Sequence, residues 1–502
     1  MHNADPHAHF RPSPLHVRAP GYARLSFHMP APLTRAYAAF IAGGRDRSIP
    51  ETALEVARLG FTDCAGVMLA GRREEAVARL AAHVVAQGSH PRSRLVTDGR
   101  RVSVAQAALV NATAAHALDY DDFAFSNHPS AVLVPVVLAA AAASGASGGR
   151  MAAGYLAGYE IWADLMLREK DLFYDRGWHP TAVLGPIGAA AAAAVVMGLD
   201  EARAGHALAL AASDSGGVFE NFGTMAKPYH GGRAAAAGLN AASLAAAGLE
   251  ASPIALEGRH GLMRALSPNG NVDLETPPRL GEVWRSAAMR LNIKKYPTVG
   301  SSQRCIDAVL ALNQVERLDP RRVTSIVARI SERHLAVMPY HRPQTALQAK
   351  FSLEFVIASA LVHNAVGFAQ LTDNAVRSEV IQQLMAKVEV ETTAEFEPEW
   401  RDAAPFDIVA FTTDDGRVVQ TPQIRRATGH ADTPLSSPEL WAKFLGCAEH
   451  AGVAEPAARA LFDAMQRIDT LKSVEEIAFP SGGWTEGNPV SYVLDYIFKG
   501  PR

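Results

Sequence analysis

The stretch from His128 to Gly145, HPSAVLVPVVLAAAAASG, returns from His179 to Gly198 as HPTAVLGPIGAAAAAAVVMG, and these two phrases decide the fold. A residue before proline is pushed out of the helical region, whereas proline suits the first helical turn. Each phrase therefore reads as a helix that starts just after its histidine. Neither run carries a charge. A helix apolar on every side belongs among other helices or in a bilayer. Alanine and glycine are weakly hydrophobic, and Pro135 and Pro186 interrupt both runs, so the expectation is a soluble, mainly α protein with these helices buried at its centre.

Outward from them the helical period continues. In ETALEVARLGFTDCAGVMLAG, the residues Leu54, Ala57, Phe61, Cys64 and Met68 recur at spacings of three and four. QAALVNATAAHALDY, RMAAGYLAGYEIWADLML, EARAGHALALAASDSG and GGRAAAAGLNAASLAAAGL suit the same period. Near residue 290 the texture changes: VTSIVARIS and KVEVETT alternate apolar with polar residues, and DIVAFTTDDGRVVQT places two strand-like runs around an Asp-Asp-Gly turn. After about 430 the chain returns to helix, with Ser437 as the expected N-cap and Pro438 as the first helical residue of SPELWAKFLGCAEHAG. The predicted plan is mainly α with an α+β insert. A large all-helical domain takes 33–285 and 426–502 from both chain ends, a smaller α/β lid domain takes 286–425, and an irregular arm covers 1–32.

Composition narrows the class of function. At 502 residues, 48% of them hydrophobic, the chain is longer than one core usually serves. A formal net charge of −3, without a long basic run, provides no field for gathering nucleic acid or anionic lipid. No nucleic-acid or membrane partner is therefore expected, and small-molecule chemistry is favoured. Cys64, Cys305 and Cys447 form no CxxC pair, so neither a disulfide framework nor a structural zinc site is indicated and a reducing cytoplasm fits.

His128 and His179 should each stand at a helix N-terminus, where free N–H groups and the helix dipole attract carboxylates and favour a neutral imidazole, the form a general base needs. The alternative is that each merely caps its helix. HALDYDDFAFSNHPS sets Asp119, Asp121 and Asp122 close before His128; a turn or cap role is the main reading and no metal is expected. FGTMAKPYHGGRAAAAGL puts the basic residues Lys227, His230 and Arg233 just ahead of an alanine-rich helix, a suitable carboxylate site. NIKKYPTVGSSQ adds Lys294 where the texture changes, and a junction between domains is a common place for a small-molecule cleft.

HALDYDD…HPS, GWHPTAVLG, GTMAKPYHGGRAA and IKKYP, in this order, resemble the MmgE/PrpD family, which includes 2-methylcitrate dehydratases, cis-aconitate decarboxylases and iminodisuccinate epimerases. The resemblance runs from about 33 to 425. It implies a helical domain with an α/β lid, a homodimer, no cofactor, and an active site on Asp119, His128, His179, Lys227 and Lys294, with Tyr340 of MPYHRP added. The chain departs from the decarboxylase pattern at Phe123, where a threonine is expected, and at Val299, where a histidine is. The implied function is a cofactor-independent lyase that dehydrates or decarboxylates a small di- or tricarboxylate through a carbanion. In that scheme His128 and His179 transfer protons, Lys227 and Lys294 bind carboxylate, and Asp119 orients a histidine or handles a departing hydroxyl. An epimerase of a dicarboxylate is the first alternative and a non-catalytic carboxylate-binding protein the second.

Overall fold

The computed structural model describes residues 31–45, 47–397 and 404–480, so the expected N-terminal arm lies almost wholly outside the described residues. The helical part runs α1 (Leu33–Ala42), α2 (Glu51–Gly71), α3 (Glu75–Gln87), α4 (Val104–His116), α5 (Pro129–Ser144), α6 (Gly148–Arg168), α7 (Pro180–Met197), α8 (Glu201–Ala212) and α9 (Ala226–Ala246). Side-chain caps start several of them. Ser103 and Gln106 form a reciprocal capping box on α4, and Ser147 and Asp200 cap α6 and α8. Between α3 and α4 a short antiparallel hairpin, β1 (Ser93–Arg94) and β2 (Arg101–Val102), appears where only helix was expected.

The second phrase becomes α7, which packs against α5, α6, α8 and α9 and is buried from Pro180 to Val196. Among the described residues α7 alone is long and apolar enough to cross a membrane, and its apolar surface is covered by protein. Pro135 and Pro186 remain inside their helices. Small residues let backbones touch. A Cβ at Gly238 of α9 would lie 2.4 Å from the Pro186 carbonyl oxygen, and one at Gly232 would lie 2.4 Å from the Leu109 carbonyl oxygen of α4. These approaches bring the end of α4, the start of α9 and the heads of α5 and α7 to one place.

A mixed sheet follows, ordered β4 (Val388–Thr393), β3 (Val323–Ser331), β5 (Ile408–Thr413) and β6 (Val418–Gln420). β3 pairs parallel with β4, Ile326 opposite Val388, and antiparallel with β5, Ile326 opposite Phe411. Val323, Ile326, Ala328 and Ile330 of β3 are buried with Val409 and Phe411 in a second core, together with helices Gln303–Glu316 and Leu353–His363. The Asp-Asp-Gly turn joins β5 to β6, with Gly416 at φ 80° where a side chain would be strained. Helices Ser437–His450 and Glu455–Gln466 return to pack on α2. The first of these is capped by Ser436, not Ser437. Ser436 Oγ donates to Glu439 Oε2 at 2.6 Å in a capping box, which makes Pro438 the second helical residue. Where the two cores meet, Val67, Ala70, Leu118, Tyr120 and Cys447 form a small third cluster with Phe368 packed on it.

Candidate active site

Because α5 and α7 lie side by side, the repeated phrase becomes a pair of imidazoles, His128 and His179, with ring centroids 6.4 Å apart. Both residues occupy the N-cap position ahead of Pro129 and Pro180, yet neither side chain makes a cap hydrogen bond. The rings serve the space between the helices instead. Thr181 and Ser130 are occupied in the framework: Thr181 Oγ1 accepts from the His128 backbone N–H at 3.3 Å, and Ser130 Oγ lies 2.8 Å from the Tyr155 hydroxyl. Two further imidazoles join the pair. His116, the last residue of α4, is 4.5 Å from the His128 ring and stacks on His179 at 5.8 Å. Nδ1 of His230 is 3.2 Å from Nδ1 of His179, whose Nε2 is buried without a hydrogen-bond partner.

The loop from Ala117 to Asn127 supplies the carboxylates. Asp119 sits at φ 51°, a left-handed conformation that costs energy for a non-glycine residue and persists where surrounding contacts enforce it. Its carboxylate accepts from Lys227 Nζ and, at 3.1 Å, from Lys294 Nζ, which also donates to the Asp119 carbonyl oxygen at 2.7 Å. Both Asp119 oxygens therefore face ammonium groups and not an imidazole, so of the two expected roles the structure does not pair Asp119 with a histidine. Asp121 takes that part instead: its Oδ2 lies 2.9 Å from Nδ1 of His116 and 2.9 Å from Nδ1 of His128. The segment carrying Lys294 is held against the loop by Phe123 and Asn292, which exchange backbone hydrogen bonds of 3.0 and 2.9 Å.

Burial sets the electrostatics. His116 is pushed down to about 4 by desolvation, against the opposing pull of Asp121, and His128 is lowered for the same reason. Desolvation and the Lys227 ammonium hold His179 well below the usual range, and desolvation with neighbouring cations takes His230 to about 4. Desolvation also lowers Lys227, partly offset by Asp119. Although burial opposes it, Lys227 and Lys294 keep Asp119 well below the ordinary carboxylate range. Asp122, buried and close to Asp63, is pushed well above it. At neutral pH the site therefore holds neutral imidazoles beside two buried lysines that share one carboxylate, Asp119. A carboxylate placed here would meet fixed cationic groups where little water screens them.

Tyr340 reaches this region from the α/β part. Its hydroxyl donates to the Phe222 carbonyl oxygen at 2.6 Å, and its ring lies against Gly223, where a Cβ would approach to 2.4 Å. Phe222 in turn stands edge-on to the His179 ring, 4.9 Å away. Lys227 and His230 lie within the first turns of α9 and not before it, and Arg233 does not join them. Arg233 instead binds the carbonyl oxygens of Gly216 and Asp214 and pins the segment on which the His179 N–H donates to Gly217 O at 3.0 Å. Phe123 packs against Gly300, next to Val299, so the two departures from the decarboxylase pattern are neighbours in space. The sequence reading gave no role to His116, nor to the buried lysines Lys350 and Lys443, which donate to the carbonyl oxygens of Ala117 and Tyr120 at 3.0 and 2.9 Å. The signal for His116 was present in HALDYDD, a histidine ending an apolar helix three residues before Asp119.

Among the described residues one set of donors converges closely enough for a metal ion, His116, Asp121 and His128, with their ligand atoms within 4.8 Å of one another. Two imidazoles and a carboxylate suit zinc. The contacts, however, are those of N–H donors on a single carboxylate oxygen. Lys227 Nζ also stands 3.1 Å from His116 Nε2, placing a cation where a dication would be repelled.

The N-terminal domain of the MmgE/PrpD family matches residues 35–275, and its C-terminal domain matches residues 296–467. Cis-aconitate decarboxylase from Mus musculus is 25% identical over 428 residues, covering 82% of this chain and 86% of the relative. The Homo sapiens enzyme of that name is 26% identical, covering 68% and 72%. That of Aspergillus terreus is 24% identical, covering 81% and 84%. The two matched domains account for most of the chain, from the buried histidine pair to the sheet, and the protein belongs to the MmgE/PrpD family.

Proposed function

We propose that this protein is a lyase acting on a small tricarboxylate, with decarboxylation of a cis-aconitate-like substrate the first reaction to test. The observation that carries the reading is the closed cluster of His116, His128, His179 and His230 against the Asp119–Lys227–Lys294 group. The names of the relatives support it. Loss of carbon dioxide leaves an electron pair on carbon, stabilised by delocalisation into an adjacent carboxylate; the negative charge that develops needs fixed cations nearby, and the carbon needs a proton. Lys227 and Lys294 meet the first requirement. His128 and His179 meet the second, because a bound polyanion raises the proton affinity of imidazoles that burial has held neutral. Dehydration uses the same groups in a different order, with a histidine removing the proton and an acid accompanying the hydroxyl.

A second reading, epimerisation, draws on the same pair of rings, since two imidazoles with centroids 6.4 Å apart can flank one stereocentre. Proton NMR in deuterated water separates the readings when citrate, 2-methylcitrate, cis-aconitate and iminodisuccinate are supplied in turn. A lyase changes the substrate's formula and creates or removes an alkene signal. An epimerase exchanges one proton for deuterium and leaves the formula intact. A folded protein that does neither to any of them refutes the proposal.

A further inference from the structure

We infer that Asp121 is a positioning residue: it fixes His116 and His128 with the proton on Nδ1, leaves the His128 Nε2 lone pair as the site's base, and through His116 holds Lys227 in place. The consequence for turnover rests on the proposed proton chemistry; the geometry does not. An ionised carboxylate only accepts hydrogen bonds. With both Nδ1 atoms 2.9 Å from the same Oδ2, each ring must carry its proton there. Nδ1 of His128 also lies 3.1 Å from the Asp122 carbonyl oxygen, a second group that only accepts.

His116 carries an independent check on its other side. Its Nε2 stands 3.1 Å from Lys227 Nζ, an ammonium that only donates, so this nitrogen must be unprotonated. Both faces of the ring demand the same tautomer. His116 is consequently engaged at both nitrogens and is not free to take a substrate proton, and a chain of contacts runs from Asp121 through His116 and Lys227 to Asp119 and Lys294. Among the described residues no ammonium donates to His128 Nε2, and the charges acting most on the His128 ring are Asp121, Lys227 and Lys294. Asp121 is completely buried, and its Oδ1 has no hydrogen-bond partner, so its hydrogen bonding is directed at the two imidazoles. A carboxylate with a purely structural part would be expected to bind backbone N–H groups of its own loop.

The test uses protein labelled with ¹⁵N-histidine, whose long-range ¹H–¹⁵N spectra distinguish the two neutral tautomers. His116→Gln and His128→Gln assign the signals. Both rings are expected to be protonated on Nδ1, and an Nε2–H form of either in the wild type overturns the inference. In Asp121→Ala only the Asp122 carbonyl oxygen remains as an acceptor at His128 Nδ1, so an Nε2–H fraction of His128 should appear beside the Nδ1–H one, kcat should fall roughly 10²-fold or more, and KM should rise as Lys227 loses its support. Asp121→Asn keeps a carbonyl oxygen for the two N–H groups, so it should retain the tautomer and lose less. Unmoved signals in a folded Asp121→Ala protein, or unchanged turnover, also overturn it. Should Asp121→Ala fail to fold, the wild-type spectrum and Asp121→Asn decide. Should none of the carboxylates be turned over, the proposed function fails while the tautomer is still read directly.

Discussion

Replacing His179 by asparagine separates a histidine that starts a helix from one that moves a proton. The ring is fully buried, makes no cap hydrogen bond, and leaves Nε2 unpaired. Asparagine is among the best N-caps, and supplying the missing cap should gain about 1 kcal/mol. The smaller side chain removes about 40 Å³, which at ~24 cal/mol per Å³ costs about 1 kcal/mol. Losing the contact between Nδ1 of His179 and His230 costs about 1 kcal/mol, and abolishing the unpaired buried Nε2 returns ~1–3 kcal/mol. The sum lies near zero or slightly on the stabilising side. Turnover should fall roughly 10²–10⁴-fold, the usual share of a positioned acid or base. Thermal and denaturant melts measure the first quantity, and NMR progress curves on a substrate the wild type converts measure the second. A folded His179→Asn protein that keeps more than about a tenth of wild-type turnover would refute the catalytic role. A stability loss above about 3 kcal/mol would instead make the ring a packing element, since that is the range of large-to-small core changes.

Lys227→Met should abolish most turnover and, because Asp119 keeps only Lys294 in a dry site, destabilise by about 3 kcal/mol; adding Asp119→Asn should recover much of the stability and none of the activity, as melts and rate assays on the same samples will check. Acid should destabilise the protein through its imidazoles. His116 and His230 are lowered from 6.5 to about 4, so between those values the unfolded chain binds the protons and the folded one does not. Their contribution is therefore present above about 6.5 and lost as the pH falls toward 4, and the melting temperature should drop across that window in wild type and less steeply in His116→Gln. Turnover should survive exhaustive dialysis against a chelator; a loss that zinc restores would make His116, Asp121 and His128 a metal site.

The fold was legible wherever one physical rule dominated. Uncharged alanine-rich runs after His-Pro had to be buried helices, and α5 and α7 are; alternation in VTSIVARIS and DIVAFTTDDGRVVQT had to be strand, and β3, β5 and β6 follow it. The hairpin of β1 and β2 escaped because two-residue strands carry no period. The capping position slipped by one residue because Ser436 and Ser437 both precede Pro438, and only the reach of Ser436 to Glu439 distinguishes them. At the candidate site, the sequence motifs named residues that the structure brings together, but not which of them pair. Asp119 and Asp121 are chemically equivalent in a one-dimensional reading, and which of them meets lysine is settled by a left-handed turn at Asp119. Arg233 shares a basic cluster with Lys227, yet six residues further along α9 it faces a different neighbour.

The two helix-head histidines show why the bland and the chemical readings were hard to part in sequence and are distinct in space. Proline at the first helical position has no N–H to satisfy, and it keeps the preceding histidine out of the helical region. At His128 and His179 the side chain makes no cap hydrogen bond and lies beside the neighbouring rings. A single His-Pro step would place one such ring beside a helix. Two copies of the step on adjacent helices, tied through the His128 N–H and Thr181 Oγ1, place two rings side by side. The repeat is thus spatial as well as sequential, and the pairing of the phrase, more than either histidine alone, is what points to proton transfer.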